Sequence, residues 1–254
     1  MSWIDFPKPG PTAKLRLFCF PYAGGSARVF RPWANHFSDA IEVCPVELPG
    51  RGQQVKQPLL TDLPSLVTVT AIALEPYLDK PFVLFGHSMG ALLAFEVARF
   101  MRKTHNIEPS SLIISGRRPP QWVDSHPPTY NLPDSELIEK LRWLKGTSRA
   151  ALEDPELMTL LLPIFRADFS VCETYIYQAQ TPLSCPIIAL GGWSDPATRH
   201  GALRGWREHT SGRFIKKSFP GHHFFIHTAQ TRLLKFLDLQ LQQLCTAENS
   251  RSRS

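Results

Sequence analysis

The segment Phe82-Val83-Leu84-Phe85-Gly86-His87-Ser88-Met89-Gly90-Ala91 limits what this chain can fold into more than any other. Its first four residues read as a buried strand, and residues 91–103 carry a helical pattern, so a single tight turn must join the two. A serine in such a turn has a strained backbone, and only small residues two positions to either side let strand and helix approach that closely. The turn would lift the Ser88 hydroxyl above the sheet edge at a helix N-terminus, whose partial positive charge favours a developing oxyanion. Gly-x-Ser-x-Gly spacing recurs by chance; the strand–turn–helix setting is what gives it chemical meaning.

The rest of the chain repeats this alternation of short apolar runs and longer helical patterns, which predicts an α/β fold with a mostly parallel central sheet flanked by helices. Strands are expected at residues 15–20, 41–46, 82–85, 111–115, 186–190 and 213–219. Residues 61–79 read as a helix capped by Thr61 or Asp62. Leu233, Leu237, Leu241 and Leu244 recur at helical spacing and predict a closing amphipathic helix. Between about residues 119 and 180 no buried-strand signal appears. Pro119, Pro120, Pro127, Pro128 and Pro133 make the entry irregular, and helices should begin at Asp134 and at Asp154-Pro155. A helical insertion of this kind is where open α/β sheets carry lids and substrate pockets. The whole of 1–254 therefore reads as one domain containing a 119–180 lid insertion, with a Ser/Arg-rich tail at 247–254 that reads as disordered or appended.

Composition narrows the function classes. An apolar share of 43% and a charged share of 20% suit a soluble globule with a large core, and no apolar run is long enough to span a membrane. Residues 1–11 hold Asp5 and several prolines where a signal peptide needs a continuous apolar stretch, so a cytoplasmic protein is expected. The five cysteines are odd in number, dispersed and without a C-x-x-C pair, which argues against a disulfide framework or metal site. The net charge of +6 favours acidic partners, but the basic residues are scattered and do not form a nucleic-acid footprint.

A serine hydroxyl is a poor nucleophile without a base to take its proton. In a sheet of this type the acid should follow a later strand and the base a still later loop. Asp195 follows the Ile187–Leu190 run directly; Asp168 is its nearest rival but falls inside the insertion. His222 and His223 are adjacent in the loop after the last strand, with His227 close by, and spacing does not separate the first two. His87 belongs to the turn and is expected to pack beside the nucleophile. An oxyanion needs two backbone N–H donors: Met89 follows the serine, and Ala23, in Phe20-Pro21-Tyr22-Ala23-Gly24-Gly25, leaves the first strand among small residues. That glycine pair lacks the Gly-Lys-Ser/Thr of a phosphate cradle.

Taken together, Phe20-Pro21-Tyr22-Ala23-Gly24-Gly25, Glu47-Leu48-Pro49-Gly50-Arg51-Gly52, Phe85-Gly86-His87-Ser88-Met89-Gly90, Arg166-Ala167-Asp168-Phe169 and Gly221-His222-His223-Phe224-Phe225 resemble the type II thioesterases of nonribosomal peptide and polyketide synthesis. These are relatives of the medium-chain acyl thioesterases of fatty acid synthesis, and the matching segments run nearly end to end. The resemblance implies an α/β-hydrolase fold with Ser88 as nucleophile, Asp195 as acid, His223 as base, and oxyanion donors at Ala23 and Met89. It implies no metal and no cofactor beyond the phosphopantetheine arm that carries the substrate. The implied task is hydrolytic editing of acyl groups on acyl or peptidyl carrier proteins, which are typically acidic, by a monomer that binds neither nucleic acid nor membrane. A medium-chain fatty acyl thioesterase, an oxygen-ester hydrolase and an acyltransferase would share the same machinery. The family usually has Gly-Gly-His-Phe at the base; here His222 replaces the second glycine, which leaves His222 a second candidate base.

Overall fold

All six expected segments become strands, and for the first five the reason is visible in how they are covered. In the computed structural model, which describes residues 3–122, 127–199 and 201–251, they form one sheet in the order β2-β1-β3-β4-β5-β6, every neighbouring pair parallel. The chain runs β1 (Leu15–Phe20), β2 (Ile41–Pro45), α1 (Leu63–Leu74), β3 (Phe82–His87), α2 (Met89–His105), β4 (Ser111–Ser115), α3 (Asp134–Leu144), α4 (Arg149–Leu152), α5 (Pro155–Glu173), β5 (Ile187–Gly192), α6 (Ala202–Gly205), β6 (Phe214–Phe219), α7 (Phe225–Thr228) and α8 (Gln230–Arg251).

Both faces of the sheet are covered along β1 to β5, while the edge strand β6 exposes Lys216, Lys217 and Ser218. Phe18, Phe20, Leu84 and Ile114 pack against α1 and α2 on one side. Leu15, Leu17, Val83, Phe85 and Ile113 pack against Trp33 and α8 on the other. Alternate residues of one strand thus serve opposite cores, so the strands read as continuous apolar runs. Leu233, Leu237 and Leu241 of α8 point into the second core, while Leu244 lies at its margin.

Some strand ends shift by one or two residues from the sequence expectation, and two helix boundaries differ for a visible reason. The first helix stops at Leu74 and passes into a 3-10 turn at Glu75–Tyr77, instead of reaching residue 79. Pro76 explains this, since it has no N–H to donate and its ring crowds the preceding helical turn. Asp62 is the cap, accepting from the Ser65 N–H at 2.8 Å. The second helix begins at Met89, two residues before the expected start, because the chain turns into it at Ser88.

Helices α3, α4 and α5 all lie between β4 and β5, and Leu137, Leu141, Leu152, Met158, Leu162 and Phe165 give this insertion a core of its own. Residues 123–126 of the irregular entry, and 252–254 of the expected tail, lie outside the described residues; α8 continues to Arg251. Among the described residues no helix is long and apolar enough to cross a membrane, and all five cysteines are free thiols.

Candidate active site

The turn at Ser88 is built by sterics. Ser88 has φ 56° and ψ −112°, a region costly for any residue with a Cβ. A Cβ on Gly86 would lie 2.0 Å from the Gly90 carbonyl oxygen, and one on Gly90 would lie 2.2 Å from that of Phe20. Either methyl would force β3, α2 and the end of β1 apart. The strained residue is anchored where its N–H donates to the Ser115 carbonyl at 2.8 Å. Ser88 is half-buried although its immediate neighbours His87 and Met89 are buried, so its side chain is the part of the turn that faces the site. As the first residue of α2, Met89 has an N–H with no intrahelical acceptor.

The acid and the base arrive on loops tied to one another. The Trp193 N–H donates to the Phe219 carbonyl at 2.8 Å and the Ser194 N–H to the Gly221 carbonyl at 3.0 Å. Gly192 lets the loops touch, since a Cβ there would meet the His222 carbonyl oxygen at 2.3 Å. Asp195 is 1% exposed, and its Oδ1 also accepts the Ala197 N–H at 3.0 Å. The His223 Nδ1–H donates to both Asp195 oxygens, at 3.1 and 3.2 Å. A buried carboxylate on Nδ1 fixes the tautomer that leaves a lone pair on Nε2. The Ser88 hydroxyl makes no hydrogen bond to His223 or to any other described residue, so the final link of a Ser–His–Asp chain is open in this structure.

The neighbouring histidines are separated by their surroundings. His222 is exposed, while the His223 side chain is turned inward to Asp195. The His222 substitution does not strain the loop, because the positive φ there belongs to Gly221, at 113°. His227 is within 3.1 Å of the Tyr22 hydroxyl. His87 is fully buried, with Nδ1 2.9 Å from the Ser115 hydroxyl and its ring centroid 5.1 Å from that of His223. Burial, reinforced by the nearby His223, pushes the His87 pKa well below 6.5. It is a neutral wall of the site.

Opposite the turn, residues 21–25 curl out of β1. The Gly25 N–H donates to the Tyr22 carbonyl at 2.8 Å, and no described group accepts the Ala23 N–H. Asp168, the rival acid, is 1% exposed and forms a bidentate pair with Arg51 at 2.6 and 2.7 Å. It does not face His223. Sequence reasoning missed that pairing, since the two residues belong to motifs 117 positions apart. Among the described residues no three His, Cys, Asp or Glu side chains are grouped to hold a metal ion.

Residues 15–241 match the Thioesterase domain family. The chain is 42% identical over 243 residues to linear gramicidin dehydrogenase LgrE of Brevibacillus parabrevis, covering 94% of this chain and 92% of that protein. It is also 42% identical over 241 residues to gramicidin S biosynthesis protein GrsT of Aneurinibacillus migulanus, covering 95% and 94%. Among solved structures it is similar to the type II thioesterase BorB from the borrelidin biosynthetic cluster, with a TM-score of 0.85 and 36% identity over 92% of this chain and 96% of that one. The parallel sheet, the serine turn and the nearly full-length match lead to one statement: the chain belongs to the thioesterase-domain family and has its α/β-hydrolase fold.

Proposed function

We propose that this protein is an editing thioesterase of nonribosomal peptide or polyketide biosynthesis, which hydrolyses acyl groups from the phosphopantetheine arm of carrier proteins through an acyl-Ser88 intermediate. The observation that carries this reading is a strained serine turn at a helix N-terminus together with a His223 imidazole held by the buried Asp195. Ser88 Oγ attacks the thioester carbonyl as His223 Nε2 takes its proton, and Asp195 holds the imidazole in the required tautomer. The step requires the Ser88 hydroxyl to close on the free Nε2. The N–H groups of Ala23 and Met89 receive the oxyanion, each such donor being worth about 3 kcal/mol of barrier. His223 returns the proton to the departing pantetheine thiol, then activates water to release the acid.

The pathway class is supported by the relatives: GrsT is named for gramicidin S biosynthesis and BorB as a type II thioesterase. LgrE bears the name of a dehydrogenase. The segment leaving β1 here, Pro21-Tyr22-Ala23-Gly24-Gly25-Ser26, lacks the Gly-x-Gly-x-x-Gly spacing of a dinucleotide site, which gives that activity no support in this chain. The +6 charge suits an acidic carrier.

Ser88→Ala is the direct test. It should keep the wild-type circular dichroism spectrum and melting temperature within a few degrees, and lose at least about 10³-fold in turnover of acyl-pantetheine thioesters. Wild-type-like hydrolysis by the variant would refute the assignment. A matched oxygen ester, assayed in parallel, should be the poorer substrate.

A further inference from the structure

Two of the motifs that carry the family resemblance, residues 47–52 and 166–169, contain no member of the proposed triad, yet they meet behind the loop that bears Ala23. Asp168, on α5, accepts the Gly24 N–H at 2.7 Å on Oδ2. The same oxygen receives Arg51 Nη1 at 2.6 Å, and Oδ1 receives Nη2 at 2.7 Å. Arg51 Nη1 also reaches the Gly25 carbonyl at 3.3 Å. Glu47 accepts the Ala27 N–H at 3.1 Å, and burial raises its carboxyl pKa. From the insertion side the Phe165 ring covers Gly24 so closely that a Cβ there would lie 2.1 Å from it.

The consequence for Ala23 follows from peptide planarity. The Tyr22 carbonyl and the Ala23 N–H belong to one trans peptide unit and point in opposite directions. The Gly25 N–H holds that carbonyl at 2.8 Å, which fixes where the Ala23 N–H points. The turn depends on Gly24 at φ 75°, a conformation that glycine adopts without a Cβ penalty. Asp168 holds that residue's amide.

We propose that Arg51 and Asp168 are positioning residues for the oxyanion donor, so that α5 must be seated on the 21–25 loop for Ala23 to serve the reaction. This rests on the acyl-Ser88 reading above. A pair that only bolted the insertion to the sheet would affect melting and leave the chemistry of a folded enzyme unchanged.

The experiment compares Arg51→Lys, Asp168→Asn and the double variant Arg51→Met/Asp168→Leu with wild type, below each variant's melting temperature. The double variant removes both members of the Arg51–Asp168 pair and so leaves neither of them unpartnered, whereas Asp168→Asn strands the guanidinium and Arg51→Lys loses its two-pronged geometry. Three readouts are taken: kcat and KM on an acyl-pantetheine thioester, the affinity of an alkylboronic acid that forms a tetrahedral serine adduct, and fluorophosphonate labelling of Ser88. The double variant should lose kcat on the order of 10²-fold with KM nearly unchanged, and boronate affinity should fall in parallel. Arg51→Lys should fall between it and wild type. Wild-type kcat and boronate affinity in the folded variants, whatever their melting temperatures, would overturn the proposal. If the double variant does not fold, the two single variants decide by the same readouts. Failure of fluorophosphonate to label Ser88 in the wild type would instead sink the acyl-serine reading itself.

Discussion

The two walls of the site are held in different ways. On the serine side, β3 and α2 are joined by a turn whose two glycines lie within two residues of Ser88, although one of them packs on the end of β1. Gly86 sits against the carbonyl of Gly90, and Gly90 against that of Phe20. On the opposite side, the 21–25 loop depends on polar contacts that span the chain, since Asp168 lies 144 residues from Gly24 and 117 from Arg51. The first wall is set by steric contact with uncharged backbone around one short segment; the second is a buried charge network joining two layers. A steric constraint permits no graded failure. A polar network can be weakened one bond at a time, so the second wall is the one that can be tuned without unfolding the sheet.

The severest way to break this contrast is Gly86→Ala. Its methyl would have to occupy space 2.0 Å from the Gly90 carbonyl oxygen, and that atom is backbone in a helix buried against both sheet and α1. Loss of at least about 3 kcal/mol is expected, read as a lowered urea midpoint, together with loss of activity in whatever folds. A stable and active Gly86→Ala would mean that the strand and helix do have room to separate, and the steric account of the first wall would fail.

Leu141→Ala tests the second wall from a distance. Leu141 is 2% exposed within the insertion's own core, which contains no residue of the sheet. Truncation should cost about 2–4 kcal/mol. The cost should fall on the insertion, with amides of α3 and α5 exchanging faster while those of β3 and α2 keep their protection. Uniform loss of protection across both regions would show that the two walls unfold as one unit.

The same local-versus-distant division decides what could be read from the sequence. Strands β1 to β5 are legible because each is buried on both faces, leaving largely apolar runs such as Leu15–Phe20; the edge strand β6, with Lys216, Lys217 and Ser218 exposed, carries a weaker signal. The serine turn was legible because its glycines and its strand are contiguous with Ser88. Even there the apolar pattern starts α2 at residue 91, whereas the chain enters the helix at Met89 and Gly90 lies in its first turn, against the Phe20 carbonyl. Asp168 looked like a competing acid because its partner is far away in the chain, and no periodicity links position 51 to position 168. His222 and His223 could be distinguished by resemblance and by the fold, but not by spacing: what differs is which side chain faces Asp195. The identity of a buried polar pair becomes visible only when the chain has closed around it.

The smallest expected effect concerns pH, and it too separates the regions. His87 and His209 are both buried, on the sheet side, whereas helices α3 to α5 contain no histidine. Burial lowers the His209 pKa to about 4, with Arg99 adding to the effect. His87 is pushed in the same direction. In the unfolded chain each imidazole takes up a proton near pH 6.5, but the folded protein resists it. Between pH 6.5 and about 4 the unfolded state therefore binds more protons, and stability must fall as the pH falls. Above pH 6.5 neither state is protonated at these rings and they contribute no slope. Among the described residues the His209 side chain makes one hydrogen bond, with Gln121 at 2.7 Å, so His209→Gln keeps a polar partner there, gives up ring contacts with Phe95, Tyr177 and Trp206, and removes one of these two buried rings. It should make the stability profile between pH 6.5 and 4 shallower by up to about 1.4 kcal/mol per pH unit, measured by urea unfolding at a series of pH values. An unchanged slope would mean that His209 titrates in the folded sheet as it does in water. Acid sensitivity would then have to be sought among the carboxylates.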